Sequence, residues 1–409
     1  AGLPEPQASP RAYKEGKGVG ISPRSVIHRW AQFGYSSVTM GRMVELMTRW
    51  LPPSGRGRLS ARRGHAWPRT VPASMLGGAE LIHLGGGESL PCPGIDSLPL
   101  SPEVRNMGLG TSRLALPPAR LHVIPDAVVM PGSGVVCTRD GRVVAESITS
   151  PMIGRVPLDG KELRTPPLDL DGTVAVFRSP LRSDYHTLVD DLPRAGLVAH
   201  PALGRLGPIT LLHGGALSEM EATLLGSLGG HRVRLREVEP GQPVRAARVV
   251  IPNFVTRPGA GAVPSWYRRW SDRVPLPEAS DAPRRVYVSA ATDADVPDRE
   301  ELQQVLDLHG IVDLDRVGRS VAERLAVLRD AEMIVGRGRD ALAVSLISRS
   351  AHVVELFDPP TLDPSMYYLA VSKGLPYHYV PVAEDARTAL EVPSEGSDVL
   401  DRVLDRLVA

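Results

Sequence analysis

Cysteine is scarce: Cys92 and Cys137 are the two in 409 residues. They allow one bridge at most, which excludes a disulfide framework and a cysteine zinc site and leaves the redox compartment undecided. Lysine is confined to Lys14, Lys17, Lys161 and Lys373, so arginine carries most of the positive charge. The charges nearly cancel, at a formal net +1, and give no reason to expect nucleic acid as a partner. No apolar run reaches the roughly 18 residues that a membrane-crossing helix needs. The chain begins at Ala1 and not at Met, which leaves room for a removed leader.

What is present is ordinary for a globular protein, with 42% hydrophobic and 23% charged residues. The length suits two or three domains of about 100–200 residues each. Residues 1–75 read as a polar, Gly- and Pro-containing arm followed by two helical patterns that end at Pro52-Pro53. Between Arg11 and Arg69 twelve Lys/Arg stand against Glu15 and Glu45. A basic segment with apolar stripes either packs on its own protein or makes peripheral contact with an anionic membrane surface, so the expected location is cytoplasmic, with membrane association open.

Residues 76–170 are rich in short β-prone runs, and Asp140-Gly141 between extended segments signals a hairpin. After Leu170 strands and helices alternate. Strands are expected at 173–177, 209–212, 233–238 and 247–251, and helices at 185–199, 218–228 and 264–274. A Pro- and Asp-containing linker at 275–283 marks a domain boundary. Beyond it the alternation resumes with strands at 285–289, 311–314, 332–335, 352–357 and 377–380 and helices at 298–309, 321–331 and 364–373. This pattern predicts an α/β fold with a parallel, doubly wound sheet. The expected domains are 1–75, 76–275 (a β-rich opening and an α/β domain), 276–382, and a tail at 383–409 ending in a docking helix.

Gly336-Arg337-Gly338-Arg339-Asp340-Ala341 follows one of these strands, and Glu355 stands near the end of the next. Glycines after a strand let backbone N–H groups approach a phosphate, a following helix offers its positive end, and an acid some 20 positions on can hold a ribose diol. The same residues also suit an ordinary tight turn. Ligands in open α/β sheets gather beyond the carboxyl ends of strands, where Ser289, Gly336 and Glu355 are all expected. Their convergence favours a nucleotide-diphosphate pocket, with Arg337 and Arg339 able to meet phosphate oxygens. Gly336-x-Gly338-x-x-Ala341 with Glu355 also nearly meets a dinucleotide fingerprint, which keeps an NAD-dependent oxidoreductase as a third reading; it ranks last because the motif follows the third strand of its domain.

His186, Asp190 and Arg194 are spaced four apart and share one face of a helix. A carboxylate beside an imidazole sets its tautomer and raises its basicity, as a general base requires, although a helix-surface His-Asp pair has the same spacing. Asp293 and Asp295 have metal-holding spacing but sit where capping Asp is common. His213 and His352 have no partner legible in the sequence.

The segment Asp184 to Arg194, with Tyr185, His186, Asp190, Leu192, Pro193 and Arg194, resembles the Tyr-x-His-x-x-x-Asp-x-Leu-Pro-Arg-like hallmark of glycosyltransferase family 61, the capsular-polysaccharide and xylosyltransferase-like group. The similarity runs from about Ala127 to Val382 through Arg284 to Ser289, Glu301-Leu302, Ala331 to Gly336, Val353 to Leu356 and Tyr368 to Tyr377. The resemblance implies a GT-B-like protein of two Rossmann-like domains with a basic N-terminal helical extension. It further implies inverting transfer of a sugar from a nucleotide-sugar donor to a glycan or small-molecule acceptor (EC 2.4 class, polysaccharide biosynthesis), without a cofactor or catalytic metal. His186 and Asp190 would be catalytic, Arg285, Ser289, Gly336, Arg337, Gly338, Arg339 and Glu355 would bind the donor in domain 276–382, and Tyr185 and Arg194 would complete the first motif on the acceptor side. Gly336 to Asp340 departs from the family's Gly-x-His-Gly-Ala, and Ser183, Ala290 and Val344 replace Asn, Arg and Asn expected to face the donor. These departures motivate the alternative of a catalytically silent member that acts as a binding or assembly partner.

Overall fold

A computed structural model describes residues 70–408 apart from 107–108, 149–164, 180, 182, 229–232, 257–259, 280–281, 290–298, 319, 358–361 and 383–395. The basic segment and helices expected before residue 70 lie outside the described residues, as do Ala290, Asp293 and Asp295.

Strands β1 (Thr70–Val71) and β2 (Glu80–His83) precede a hairpin of β3 (Glu88–Pro91) and β4 (Arg113–Leu116), whose connection carries the short helix α1 (Pro102–Asn106). The long β5 (Arg120–Met130) is followed by β6 (Val135–Thr138) and β7 (Val143–Val144), which pair antiparallel around the Asp140-Gly141 turn, where Gly141 takes φ 80°. From β8 (Leu168–Val176) the chain alternates through α2 (Leu192–Val198), β9 (Ile209–Gly214), α3 (Glu219–Leu228) and β10 (Val233–Val238), then returns as β11 (Val244–Pro252) and α4 (Ser265–Ser271). The last run is β12 (Arg285–Val288), α5 (Arg299–Leu308), β13 (Val312–Asp313), α6 (Val321–Asp330), β14 (Met333–Arg337), α7 (Gly338–Leu342), β15 (His352–Phe357), α8 (Ser365–Lys373), β16 (Tyr377–Pro381) and α9 (Gly396–Val408).

The fold is α/β, built on two main sheets. The second sheet is wholly parallel in the order β13-β12-β14-β15-β16. Its inner strands are nearly continuous apolar runs, the composition of strands covered on both faces. Val335, Val354 and Val380 meet Leu306 of α5 and Leu400 and Leu404 of α9 on one face; Val286, Ile334 and Val353 meet Leu325 of α6, Leu369 of α8 and Leu346 on the other. The strand order reverses between β12 and β14, and a crevice at their carboxyl ends is the ligand position such sheets provide.

The first sheet is mixed, with nine strands in the order β1-β7-β6-β5-β11-β8-β9-β10 and β2 beside β5. Only β11, β8, β9 and β10 form the expected parallel set, and β5 pairs antiparallel with β11. The β-rich opening region therefore extends the same sheet. Here too the order reverses, between β8 and β11, a second topological switch at whose carboxyl strand ends such sheets hold ligands.

One apolar core runs through both sheets, from Ile82 and Leu121 to Leu369 and Leu375. The expected linker is fastened to α6, where Arg329 donates to the carbonyls of Leu276 and Pro277. The β3–β4 unit covers the second lobe, its Ile95, Leu114 and Leu116 clustering with Phe357, Tyr367 and Tyr368. At the junction Gly261 has φ 70° and a Cβ there would lie 2.3 Å from the Ser365 carbonyl oxygen, so glycine is required on both counts. Lys373 completes the junction by donating to Ser271 and Asp272.

Candidate functional site

The segment between β8 and α2 is a π-helix over His186–Asp191, a wide turn that recurs at functional positions. Its Leu188 carbonyl accepts a 2.7 Å hydrogen bond from the buried Tyr267 hydroxyl of α4. Within it His186 Nδ1 lies 2.7 Å from Asp190 Oδ2. The other Asp190 oxygen accepts from Thr256, whose Oγ1 is 2.9 Å away in the loop after β11. A carboxylate acceptor fixes the imidazole proton on Nδ1 and leaves the Nε2 lone pair to act as a base. Thr256, Asp190 and His186 thus form a relay beside the switch between β8 and β11.

Arg194, expected to share a face with this pair, is instead wholly buried. Its Nε donates to the Pro252 carbonyl and its Nη1 to those of Phe177 and Arg178, tying the ends of β11 and β8 together. Its guanidinium also stacks 4.3 Å from the Phe254 ring centroid. Burial lowers its pKa to about 10, so it stays cationic at neutral pH. The neighbouring Asp191 is buried as well, accepts from the Ser179 amide at 2.7 Å, and has its carboxyl pushed well above the ordinary range by burial. Arg194 builds the floor of the site and is not a ligand-facing group.

The second lobe meets this segment directly. Arg339 sits over the Tyr185 ring at 5.1 Å and pairs with Asp363 at 3.7 Å. Burial, with smaller contributions from the like charges of Asp340 and Glu221, raises the Asp184 carboxyl pKa and so disfavours its charged form at the junction. Tyr185 itself is buried, and desolvation pushes its hydroxyl well above its usual pKa.

The glycine turn differs from a phosphate cradle. Gly336 lies inside β14, and a Cβ there would come within 2.9 Å of Leu342 Cδ2 and 3.1 Å of the Val288 carbonyl, so it serves close strand-to-helix packing. Gly338 opens α7 with φ 73° and open space around it. The helix that follows spans only Gly338–Leu342 before tightening to a 3₁₀ turn over Ala343–Ile347. Ser289 is at the carboxyl end of β12, as expected, and donates to Asp315 at 2.9 Å.

Two expected donor-binding residues are displaced from that rim. Arg285 begins β12, and because the strands are parallel its side chain is at the opposite end of the sheet, donating to the His309 carbonyl at 3.2 Å. Glu355 is 3% exposed inside β15 and accepts a 2.6 Å hydrogen bond from the Tyr377 hydroxyl. Burial raises its pKa to about 8, so at neutral pH it is largely a neutral acid beneath the rim. Of the other histidines, His213 Nδ1 is 2.9 Å from the Gly215 carbonyl, and His352 stacks on His378 at the amino ends of β15 and β16.

Thr256 was not legible as a site residue: it follows Asp190 by 66 positions, and only the adjacency of β8 and β11 brings them together. The carboxyl end of a strand was the available signal. Among the described residues, His309, Asp401 and Asp405 have metal-ligand spacing, on the outer face of the second lobe away from this relay. No helix among the described residues is long and apolar enough to cross a membrane. Neither the protein-family models nor the curated proteins contain a match to this chain.

Proposed function

We propose that the chain is a glycosyltransferase that moves a sugar, with inversion, from a nucleotide-diphosphate donor to a hydroxyl of a glycan or small-molecule acceptor, in a GT-B-like arrangement of two Rossmann-like lobes similar to glycosyltransferase family 61. The observation that carries this reading is the His186–Asp190 pair at 2.7 Å, held by Thr256, where the π-helix abuts the segment after β14. In the proposed step His186 Nε2 takes the proton of the acceptor hydroxyl as its oxygen bonds to the anomeric carbon. The bond from that carbon to the donor's diphosphate oxygen breaks, and the nucleoside diphosphate departs. Such a base contributes about 10²–10⁴ in rate. Arg337 and Arg339 offset the charge on the departing diphosphate, and Ser289 lies on the same rim. Contact of the basic N-terminal segment with an anionic membrane surface belongs to the same proposal.

The test is release of nucleoside diphosphate by the full chain from a panel of nucleotide-sugars, alongside His186→Ala. Turnover that collapses in the variant while its melting temperature holds supports the assignment; equal turnover removes it.

Burial of Glu355 beneath Tyr377 and the shortness of α7 favour a second reading, a catalytically silent binding or assembly partner. Under that reading no nucleoside diphosphate binds even at millimolar concentration.

A further inference from the structure

The outer face of the second lobe carries a donor set unrelated to the relay. His309, at the carboxyl end of α5, is 8% exposed, and its Nε2 lies 2.7 Å from Asp401 Oδ1 on α9. Asp405 follows Asp401 by one helical turn and is exposed, and one ligand atom from each of the three lies within 4.8 Å of the others. The set is mixed, one imidazole nitrogen and two carboxylates, and is drawn from elements 92 residues apart in the chain.

The surrounding contacts fix the backbone that carries these groups. Arg285 donates to the His309 carbonyl, and Gly310 with φ 63° turns the chain away from α5. Leu400 and Leu404 anchor α9 in the core of this lobe, which fixes the face from which Asp401 and Asp405 project. Two carboxylates one turn apart on a helix repel each other, and a cation between them removes that cost.

We infer that His309, Asp401 and Asp405 bind a first-row divalent transition-metal ion of the zinc type. Zinc takes imidazole nitrogen and carboxylate oxygen at about 2.0–2.2 Å, which places neighbouring ligands of a tetrahedral ion about 3.3–3.5 Å apart. The present spacing, from 2.7 Å to at most 4.8 Å, brackets that value, so rotamer adjustment alone closes the set. Two carboxylates and a neutral imidazole balance the charge of the ion, and exposed Asp405 leaves room for water in the remaining position. The imidazole selects against calcium and magnesium, which prefer all-oxygen shells. The ion staples α9 to the end of α5 and strengthens the outer layer of the lobe.

The test is calorimetric titration of the chelator-treated full chain with zinc sulfate at neutral pH, with magnesium and calcium for comparison and melting temperatures recorded in parallel. Expected are saturable binding of one zinc ion per chain, a higher melting temperature, and no comparable binding of magnesium or calcium. Asp405→Asn is the decisive variant, because the hydrogen bond between His309 and Asp401 does not involve it. It should abolish the zinc response while leaving the metal-free melting temperature essentially unchanged. Absence of saturable zinc binding to the unaltered chain overturns the inference, and so does zinc binding that survives Asp405→Asn or His309→Gln.

Discussion

His186 Nδ1 lies 2.7 Å from Asp190 Oδ2 within one π-helical turn, and the second Asp190 oxygen is occupied by Thr256 at 2.9 Å. Each Asp190 oxygen thus has its own partner, which restrains rotation of the carboxylate. If the relay sets the tautomer, nitrogen NMR of His186 should show the Nδ1-protonated form in the unaltered chain and a mixture of forms in Asp190→Asn.

On the proposed reading Thr256 is a positioning residue, acting through Asp190. Thr256→Val should lower nucleotide-sugar turnover by about tenfold, less than the roughly 10²–10⁴ lost in His186→Ala. Thr256→Ser, which keeps the hydroxyl, should restore most of it. An equal loss in the Val and Ser variants would assign the effect to packing.

Arg194 should matter for folding. It donates to three buried carbonyls and joins the ends of β8 and β11. Removing a buried charge and orphaning its partners costs about 3–5 kcal/mol. Denaturant unfolding of Arg194→Met should show a loss of that order, and Arg194→Lys should recover little, because one ammonium cannot span carbonyls on two strands.

Glu355 makes stability depend on pH in a definite direction. Its folded pKa of about 8 is above the ordinary 4.5, so between those values the unfolded chain releases a proton that the folded chain keeps. Its contribution is complete below the ordinary value and is lost as pH rises toward 8, at no more than about 1.4 kcal/mol per pH unit. Glu355→Gln, neutral throughout, should flatten the fall in unfolding free energy across that window.

The contrast between Glu355 and His186 shows what a linear reading can reach. The alternation after Leu170 is local, and it yielded the parallel strands β8 to β10 and β12 to β16. The four-residue spacing of His186 and Asp190 is also local, and the pair forms. The antiparallel union of β5 with β11 rests on pairing between distant segments, which the hairpin signals do not carry. Glu355 looked like a rim residue because it stands near a strand end; it is buried instead, hydrogen-bonded by Tyr377 from the start of the next strand. Arg285 was drawn to the site by its motif, yet strand direction places it at the far end of the sheet. Arg194 shares the periodicity of His186, but the sheet ends meet it first.

The most direct test of the central claim is a thermal-shift titration of the full chain against UDP, GDP, CMP, dTDP and NAD, with Arg339→Ala and His186→Ala alongside. The account predicts saturable stabilisation by one nucleoside diphosphate, lost in Arg339→Ala and kept in His186→Ala, because it assigns the donor to the segment after β14 and the base to the π-helix. Stabilisation by NAD alone, or by none of the five, would contradict it.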